Sequence, residues 1–366
     1  MAMVIVLSVF NGFDDIIHEL YKNVDSDFKI ELKEGALFSS NHEFVEYVKN
    51  IDGVIAVSEV LEHKMLVESK SEELLVVDAK GVDSNYLDVN NIEENIWTGN
   101  YFYTKKNHLL ISNHLSNVLG AHLLDYENPL KLSFFQKKLS PLGLDNLHQF
   151  HRSFYVAGVF QTYTEFDNTY VILDISDLRD FLFLNNSCSS LEIKIKDAKM
   201  SKRIEKELKH LGGDEFLIHN RFNQRPFIYK MVETEKLAVY IIFSFILIIS
   251  MLSLIASLAV LLMEKQEDIY ILHAFGVTKQ NIKNIFFLTG FFITILGSLT
   301  GTVLGRLLCY LQDNLKIIKL GESSSFIQAY PVKVEIIDII MIQCIVLLLG
   351  TMTAYLVSRN EKFYQH

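Results

Sequence analysis

Proline, cysteine and tryptophan are scarce: four, three and one in 366 residues. So few prolines leave no Pro-rich linker along the chain. Cys188, Cys309 and Cys344 lie far apart, two of them in or beside long apolar runs, so neither a disulfide framework nor a cysteine metal site is expected. Positive charge is outnumbered: 34 Lys and Arg face 44 Asp and Glu, and the net charge of −10 gives no sign of a nucleic-acid partner. The catalytic signatures are missing too. Without G-x-x-x-x-G-K-[ST] the chain does not read as an ATPase, and without H-E-x-x-H or G-x-S-x-G it does not read as a hydrolase. His148 and His151 are the closest histidine pair, and no third ligand stands beside them. No catalytic residue, no metal site and no cofactor of its own are expected.

What the chain has instead is long uncharged runs. Leu237 to Met263 carries no charge, nor do Ile285 to Gly305 and Ile339 to Val357. A helix needs about 20 apolar residues to cross a hydrocarbon core of roughly 30 Å, so three membrane spans are predicted at about 237–263, 284–308 and 336–357. The apolar start, Met1 to Phe10, is half that length; it reads as the outer half of a first span, continued as a helix over Asp14 to Tyr21 (partial span and extension, 1–23). The fold expected is a four-span α-helical membrane protein, its first span truncated, with a large α+β extracytoplasmic domain between spans 1 and 2.

That domain covers 24–233, where charge is dense and apolar runs are short. Alternation predicts strands at Asp27–Leu32, Val54–Val60, Lys64–Val67, Leu74–Asp78, Leu130–Phe135, Phe154–Phe160, Thr169–Leu173 and Ser190–Lys196. Helices are predicted at His42–Asn50, Ile175–Leu184 with Ser176 as N-cap, and Lys199–Leu211. Lys137–Arg152 reads as an oversized loop bearing Ser140, Pro141, Leu142, Gly143, Leu144, Leu147 and Phe150. Its apolar side chains either meet a partner or fold back on the domain.

Two helical features carry candidate function. Between the first two complete spans, residues 264–277 form a short helix: Ile269, Leu272 and Phe275 share a face, Gly276 suits a left-handed cap and Thr278 can cap the next helix. Such a helix touches another protein or rests on lipid. Gly297, Gly301 and Gly305 recur every fourth residue, and Gly350 and Ala354 repeat the spacing, which suits close helix packing within the chain or with a second subunit. Loop charge places the hairpin tip and the tail 359–366 in the cytoplasm only weakly; counting spans puts the large domain outside.

Glu264-Lys265-Gln266-Glu267-Asp268-Ile269-Tyr270-Ile271-Leu272-His273-Ala274-Phe275-Gly276 resembles the coupling segment of FtsX/MacB-type ABC transporter permeases, with His273 where Arg or Lys is common. Asn11-Gly12-Phe13, Lys80-Gly81-Val82-Asp83, and Val156-Ala157-Gly158-Val159-Phe160 followed by Glu165-Phe166-Asp167 are similar to segments of the LolC/LolE group of lipoprotein-releasing permeases. The resemblance covers nearly the whole chain. It implies a MacB-like periplasmic core domain, an FtsX-like permease domain over 234–358, and a bacterial inner-membrane location. It assigns Glu264, Asp268, Ile269, Leu272, His273, Phe275 and Gly276 to contact with a separate LolD-like ATPase, which would bind the ATP. It implies a second permease, identical or homologous, and force transmitted to extract lipoproteins. Ser140-Pro141-Leu142-Gly143 resembles the start of a hook that holds a periplasmic carrier chaperone. MacB-like efflux would be accompanied by a fused ATPase domain, and an FtsX-like regulator of cell-wall hydrolases would have a smaller outer domain.

Overall fold

The computed structural model describes residues 1–68, 74–101, 106–138, 146–319 and 329–359, with the backbone alone at 137, 138, 146 and 147. The chain divides into two compact units: a helical one, Met1–Ile17 with Phe227–His366, and an inserted one, His18–Pro226. Helix α1 (Ala2–Lys22) belongs to both by sequence.

In chain order the inserted unit holds β1 (Phe28–Leu32), β2 (Phe38–Ser39), α2 (Glu43–Lys49), β3 (Val54–Glu68) and β4 (Leu74–Val82). Next come α3 (Tyr86–Val89), β5 (Ile96–Gly99), β6 (His108–Ser112), α4 (Asn113–Leu119), β7 (Leu130–Lys138) and β8 (Asn146–Phe160). It closes with α5 (Phe166–Thr169), β9 (Tyr170–Asp174), α6 (Ile175–Leu182), β10 (Ser187–Cys188), β11 (Ser190–Ile195), α7 (Ser201–Gly212), β12 (Phe216–Asn220) and α8 (Arg221–Gln224).

The main sheet runs β12-β1-β11-β3-β4-β9-β6-β8-β5, and β7 pairs with both β3 and β8. That double pairing closes a ring, β3-β4-β9-β6-β8-β7 and back to β3. Leu61, Met65, Leu109, Leu132, Phe154 and Leu173 fill one core of this part, joined by Leu178 and Phe181 of α6. A second core lies where β1, β11 and β12 meet α2 and α7: Phe28, Ile30 and Ile193 pack with Val48, Ile204 and Leu208. A third gathers Val60, Val82, Tyr86, Phe160 and Phe166.

Three local expectations are corrected. Val54–Val60 and Lys64–Val67 are one strand, β3, because pairing with β4 continues unbroken from Val60↔Val82 to Glu68↔Leu74. The N-cap of α6 is Asp174, whose carboxylate accepts from the Ser176 N–H, so Ser176 lies inside the helix. Lys137–Arg152 is not all loop: β7 runs to Lys138 and β8 begins at Asn146, in register from Leu130↔Phe154 to Lys138↔Asn146. Exposed His148, Gln149 and His151 hide the strand period there, while Phe150 pairs opposite Phe134 and stacks on it with ring centroids 5.3 Å apart.

The helical unit adds α9 (Pro226–Glu264), α10 (Gln266–Ala274), α11 (Lys279–Leu315) and α12 (Ile336–Arg359). Helices α9, α11 and α12 are long and apolar enough to cross a membrane. At about 1.5 Å per residue, the 39 residues of α9 exceed a bilayer core, so its first turns extend beyond the apolar run. Helix α1 is continuous from Ala2 to Lys22, and Val4 and Leu7 pack against Ile342 of α12.

Candidate functional site

The turn between α9 and α11 is built as a rigid elbow. Gly276 takes φ +86°, a conformation an L side chain rarely adopts; its N–H reaches the His273 carbonyl at 3.0 Å and the Val277 N–H reaches Leu272 at 3.1 Å. The Thr278 hydroxyl accepts from the Asn281 N–H and starts α11. Ile269 is half-buried and packs on Leu258, Leu262, Ala354 and Val357. Ile269, Leu272 and Phe275 therefore do not present one free face. Ile269 anchors α10 inward, and what remains outward is Tyr270 (74% exposed), Ile271 (52%) and Phe275 (83%), with Leu272 at the rim. Tyr270 and Ile271 escaped the sequence reading, because which stripe faces the bundle depends on packing and not on period. Glu264, Asp268 and His273 are exposed, and the Lys265–Asp268 pair at 2.9 Å is a solvated contact of small energetic weight.

The flagged small residues separate into distinct roles. A Cβ on Gly350 would overlap the Thr294 side chain, and one on Gly290 would lie 2.7 Å from the Ala354 Cβ. So α12 packs on α11 through Gly350 and Ala354, against Gly290 and Thr294, which the spacing argument missed. Gly305 serves α1, since a Cβ there would sit 3.2 Å from the Val4 Cβ. Gly301 lies beside Met1, just ahead of α1, and Gly297 has nothing within 4 Å. Beside them Gln343 of α12 donates to Ser298 at 2.8 Å and accepts from Thr302 at 3.1 Å, a polar clasp between α11 and α12.

The segments that carry the resemblance prove to be joints. Asn11 donates to Asp338 at 2.6 Å, a Cβ on Gly12 would lie 2.6 Å from the Pro331 carbonyl carbon, and Phe13 meets the Tyr330 ring edge-on at 5.5 Å. They seat the 329–335 segment on α1. Gly81 lets α6 approach, because a Cβ there would be 2.9 Å from Leu178. Asp83 accepts from the Ser58 hydroxyl at 2.6 Å, and burial pushes its carboxyl up despite that bond. Asp167 holds the turn after β8, accepting from Thr162 and Tyr163 N–H groups at 2.9 and 2.8 Å.

Lys80 is the least expected of these. It is 4% exposed, its Nζ lies 2.7 Å from Glu192 and 3.9 Å from Glu62, and it sits over the Tyr86 ring. Lys29 continues the network to Glu62 at 3.3 Å and Glu31 at 2.8 Å. Burial alone would discharge Lys80, but Glu192 overrides it and holds the ammonium well above its usual value.

Of the expected partner-binding residues on 137–152, Ser140, Pro141, Leu142, Gly143 and Leu144 lie outside the described residues. Leu147 is on β8, and Phe150 packs between Phe134 and Phe183. Beyond Ser133 on β7, and before Tyr155 on β8, these strands pair only with each other among the described residues. The hairpin leaves the ring as a two-stranded arm. Among the described residues no group of three His, Cys, Asp or Glu side chains could hold a metal ion.

Comparison with known proteins bears on the spans and the inserted unit alike. The FtsX-like permease C-terminal family matches residues 240–360, which takes in the elbow at α10 and the α11–α12 clasp. The lipoprotein-releasing system transmembrane protein LolC of Neisseria meningitidis serogroup B is 24% identical, covering 98% of this chain and 88% of that protein. LolC of Buchnera aphidicola subsp. Schizaphis graminum is 23% identical over 93% of this chain. LolE of Haemophilus influenzae is 21% identical over 99% of this chain and 89% of its own length. Over nearly its whole length the chain is similar to LolC/LolE-type permeases. The periplasmic region of MacB from Actinobacillus actinomycetemcomitans aligns at a TM-score of 0.36 and 13% identity, covering 58% of this chain and 98% of that one, too slight a likeness to argue from. The chain combines a large α/β unit with three helices long and apolar enough to cross a membrane.

Proposed function

We propose that this permease is the membrane subunit of an ATP-driven transporter that extracts lipoproteins from the bacterial inner membrane and passes them to a soluble periplasmic carrier. The observation that carries the reading is the similarity to LolC over 98% of the chain, which spans the α10 elbow and the inserted unit together. In this reading α1 carries the outer part of a fourth span, the inserted unit lies in the periplasm and α10 faces the cytoplasm. A second permease, identical or homologous, stands beside it. A separate ATPase binds the ATP, and the chain itself performs no chemical step.

The elbow supports the coupling role. A short helix anchored by Ile269 and capped by Gly276 cannot slide independently of α9 and α11. Its outward Tyr270, Ile271 and Phe275 offer an apolar knob for a groove on the ATPase. Motion imposed there passes along the two helices toward the periplasmic side. The paired substitution Ile271→Asp/Phe275→Asp should cost at least about 2 kcal/mol of docking, some 30-fold in affinity, since two interface anchors are lost. Co-purification of the ATPase and lipoprotein release in proteoliposomes should fall together, with helix content unchanged. Undiminished co-purification would remove α10 from the docking site.

A further inference from the structure

At the end of α11 opposite the α10 elbow lies an apolar cavity of about 400 Å³. Ile5 and Val9 of α1, Leu308 and Leu311 of α11, and Ile317 and Ile318 beyond it form its walls. Gln312 also lines it, but its amide is committed: Oε1 accepts from the Ile318 N–H at 3.0 Å, and Nε2 donates to the Ile318 carbonyl at 2.9 Å. The segment that closes the cavity is fixed to α1 by the Lys333 N–H on the Ser8 carbonyl at 2.8 Å and by close packing at Gly12. Cys309, Tyr330 and Val332 complete the lining; the Gln312 amide is not free for a solute, and a gap walled mainly by aliphatic side chains favours hydrocarbon over water.

The rim has the opposite chemistry. Lys316 and Lys319 bracket Ile317 and Ile318, are exposed, and form no ion pair with a described residue. Leu315, Ile317 and Ile318 stand 64%, 66% and 58% exposed beside them, just past the apolar length of α11. Apolar side chains interleaved with lysines at the end of a spanning helix match the boundary between hydrocarbon and headgroups.

We infer that this cavity is a binding site for one anionic diacyl phospholipid, with an acyl chain between α1 and α11 and its headgroup at Lys316 and Lys319. The charge at the rim selects this occupant: a neutral lipid would leave both lysines unmatched, and an apolar protein segment would leave them facing hydrocarbon. The inference does not depend on the transport reading.

The test uses the full chain in vesicles of phosphatidylcholine with a minor fraction of phosphatidylglycerol. After extraction into mild detergent, retained phospholipids are counted by mass spectrometry. Phosphatidylglycerol should be retained at least about ten-fold above its share of the bilayer, as two lysines at a lipid surface would give. Lys316→Gln/Lys319→Gln should erase that preference while a phospholipid is still retained. Val9→Phe, which fills the cavity, and Ile318→Asp, which puts a carboxylate into it, should each lower retention of both lipids. Ile318 is exposed, so the second variant does not depend on the core tolerating a larger side chain. Retained lipid of bulk composition, or retention unchanged in both cavity variants, would overturn the site.

Discussion

Lys80 and Glu192 show what a single residue can be asked to hold. Each is almost fully enclosed, and the pair is 2.7 Å apart. Taking one charge out of water costs several kcal/mol, so the arrangement persists only because each ion faces the other and Asn90 donates to the remaining Glu192 oxygen. Lys80→Met should therefore destabilise the unit by about 3–5 kcal/mol, whereas Lys80→Met/Glu192→Leu should recover much of that loss, because no buried charge is then left alone. Urea unfolding of the full chain in detergent, followed by tyrosine fluorescence, distinguishes the two. The signs of the pH response follow from the same contacts. For Glu62, burial would raise the carboxyl, but Lys29 and Lys80 override it and bring it below its usual value. Its contribution is present above the ordinary glutamate pKa of about 4.3 and is lost as pH falls through the lower folded value. Lys80 is raised, so its contribution is present below the ordinary lysine pKa of about 10.4 and is lost only as pH climbs through the folded value. The network should hold across neutral pH and fail first in acid.

At the scale of elements, the passage into the inserted unit and the passage out of it are tied together. The Arg225 Nε reaches both Asp25 carboxylate oxygens, at 3.2 and 3.0 Å, and its guanidinium lies 4.8 Å from the Tyr21 ring centroid. Arg221 pairs with Asp27 at 2.9 Å, and Gln224 donates to the Ser26 carbonyl at 2.9 Å. Between them β1 and β12 pair from Phe28↔Asn220 to Leu32↔Phe216. A charged hydrogen bond contributes about 1.5–3 kcal/mol, so Arg225→Ala should speed amide exchange over residues 23–27 roughly ten-fold or more, while β4 and β9, ringed by other strands, keep their protection. Equal acceleration everywhere would mean that Arg225 acts on the whole fold and not on this joint. The joint was invisible in the sequence, because nothing in Asp25 and Arg225, 200 positions apart, hints at contact. The long apolar helices were legible for the contrary reason: an uncharged run of that length marks its helix without any partner. The ring closed by β7 was hidden because each strand's alternation says which residues turn inward, not which strand lies alongside. For the same reason β3 was read as two strands, and Ile269 was put on the free face of α10 in place of Tyr270 and Ile271.

For the whole molecule, the arm built from β7 and β8 is where the proposed transport reading can be separated from folding. Its base is held by the ring, with Leu132 and Phe154 fully buried. Phe134 turns into the same core, and Phe150 packs against it and against Phe183, which leaves 63% of Phe183 exposed. These apolar contacts stabilise the arm. The expectation that all of 137–152 meets a partner is thereby narrowed. Phe150 packs on the domain, and in the proposed transport reading carrier capture falls to residues 139–145 with the exposed Phe183 beside the arm. Replacing Pro141 to Leu144 by glycine and serine should abolish capture of the periplasmic carrier and stop lipoprotein release, with the melting temperature shifted by no more than a surface change gives, about 0.5 kcal/mol in stability. ATPase co-purification should be untouched, because α10 lies in the other unit. Phe150→Ala, by contrast, should destabilise the arm by about 3 kcal/mol through the lost aromatic packing, and weaken carrier capture only as a consequence. A replaced loop that still captures the carrier would move the binding surface elsewhere on the inserted unit. Loss of the melting transition in that variant would show instead that these residues complete the fold.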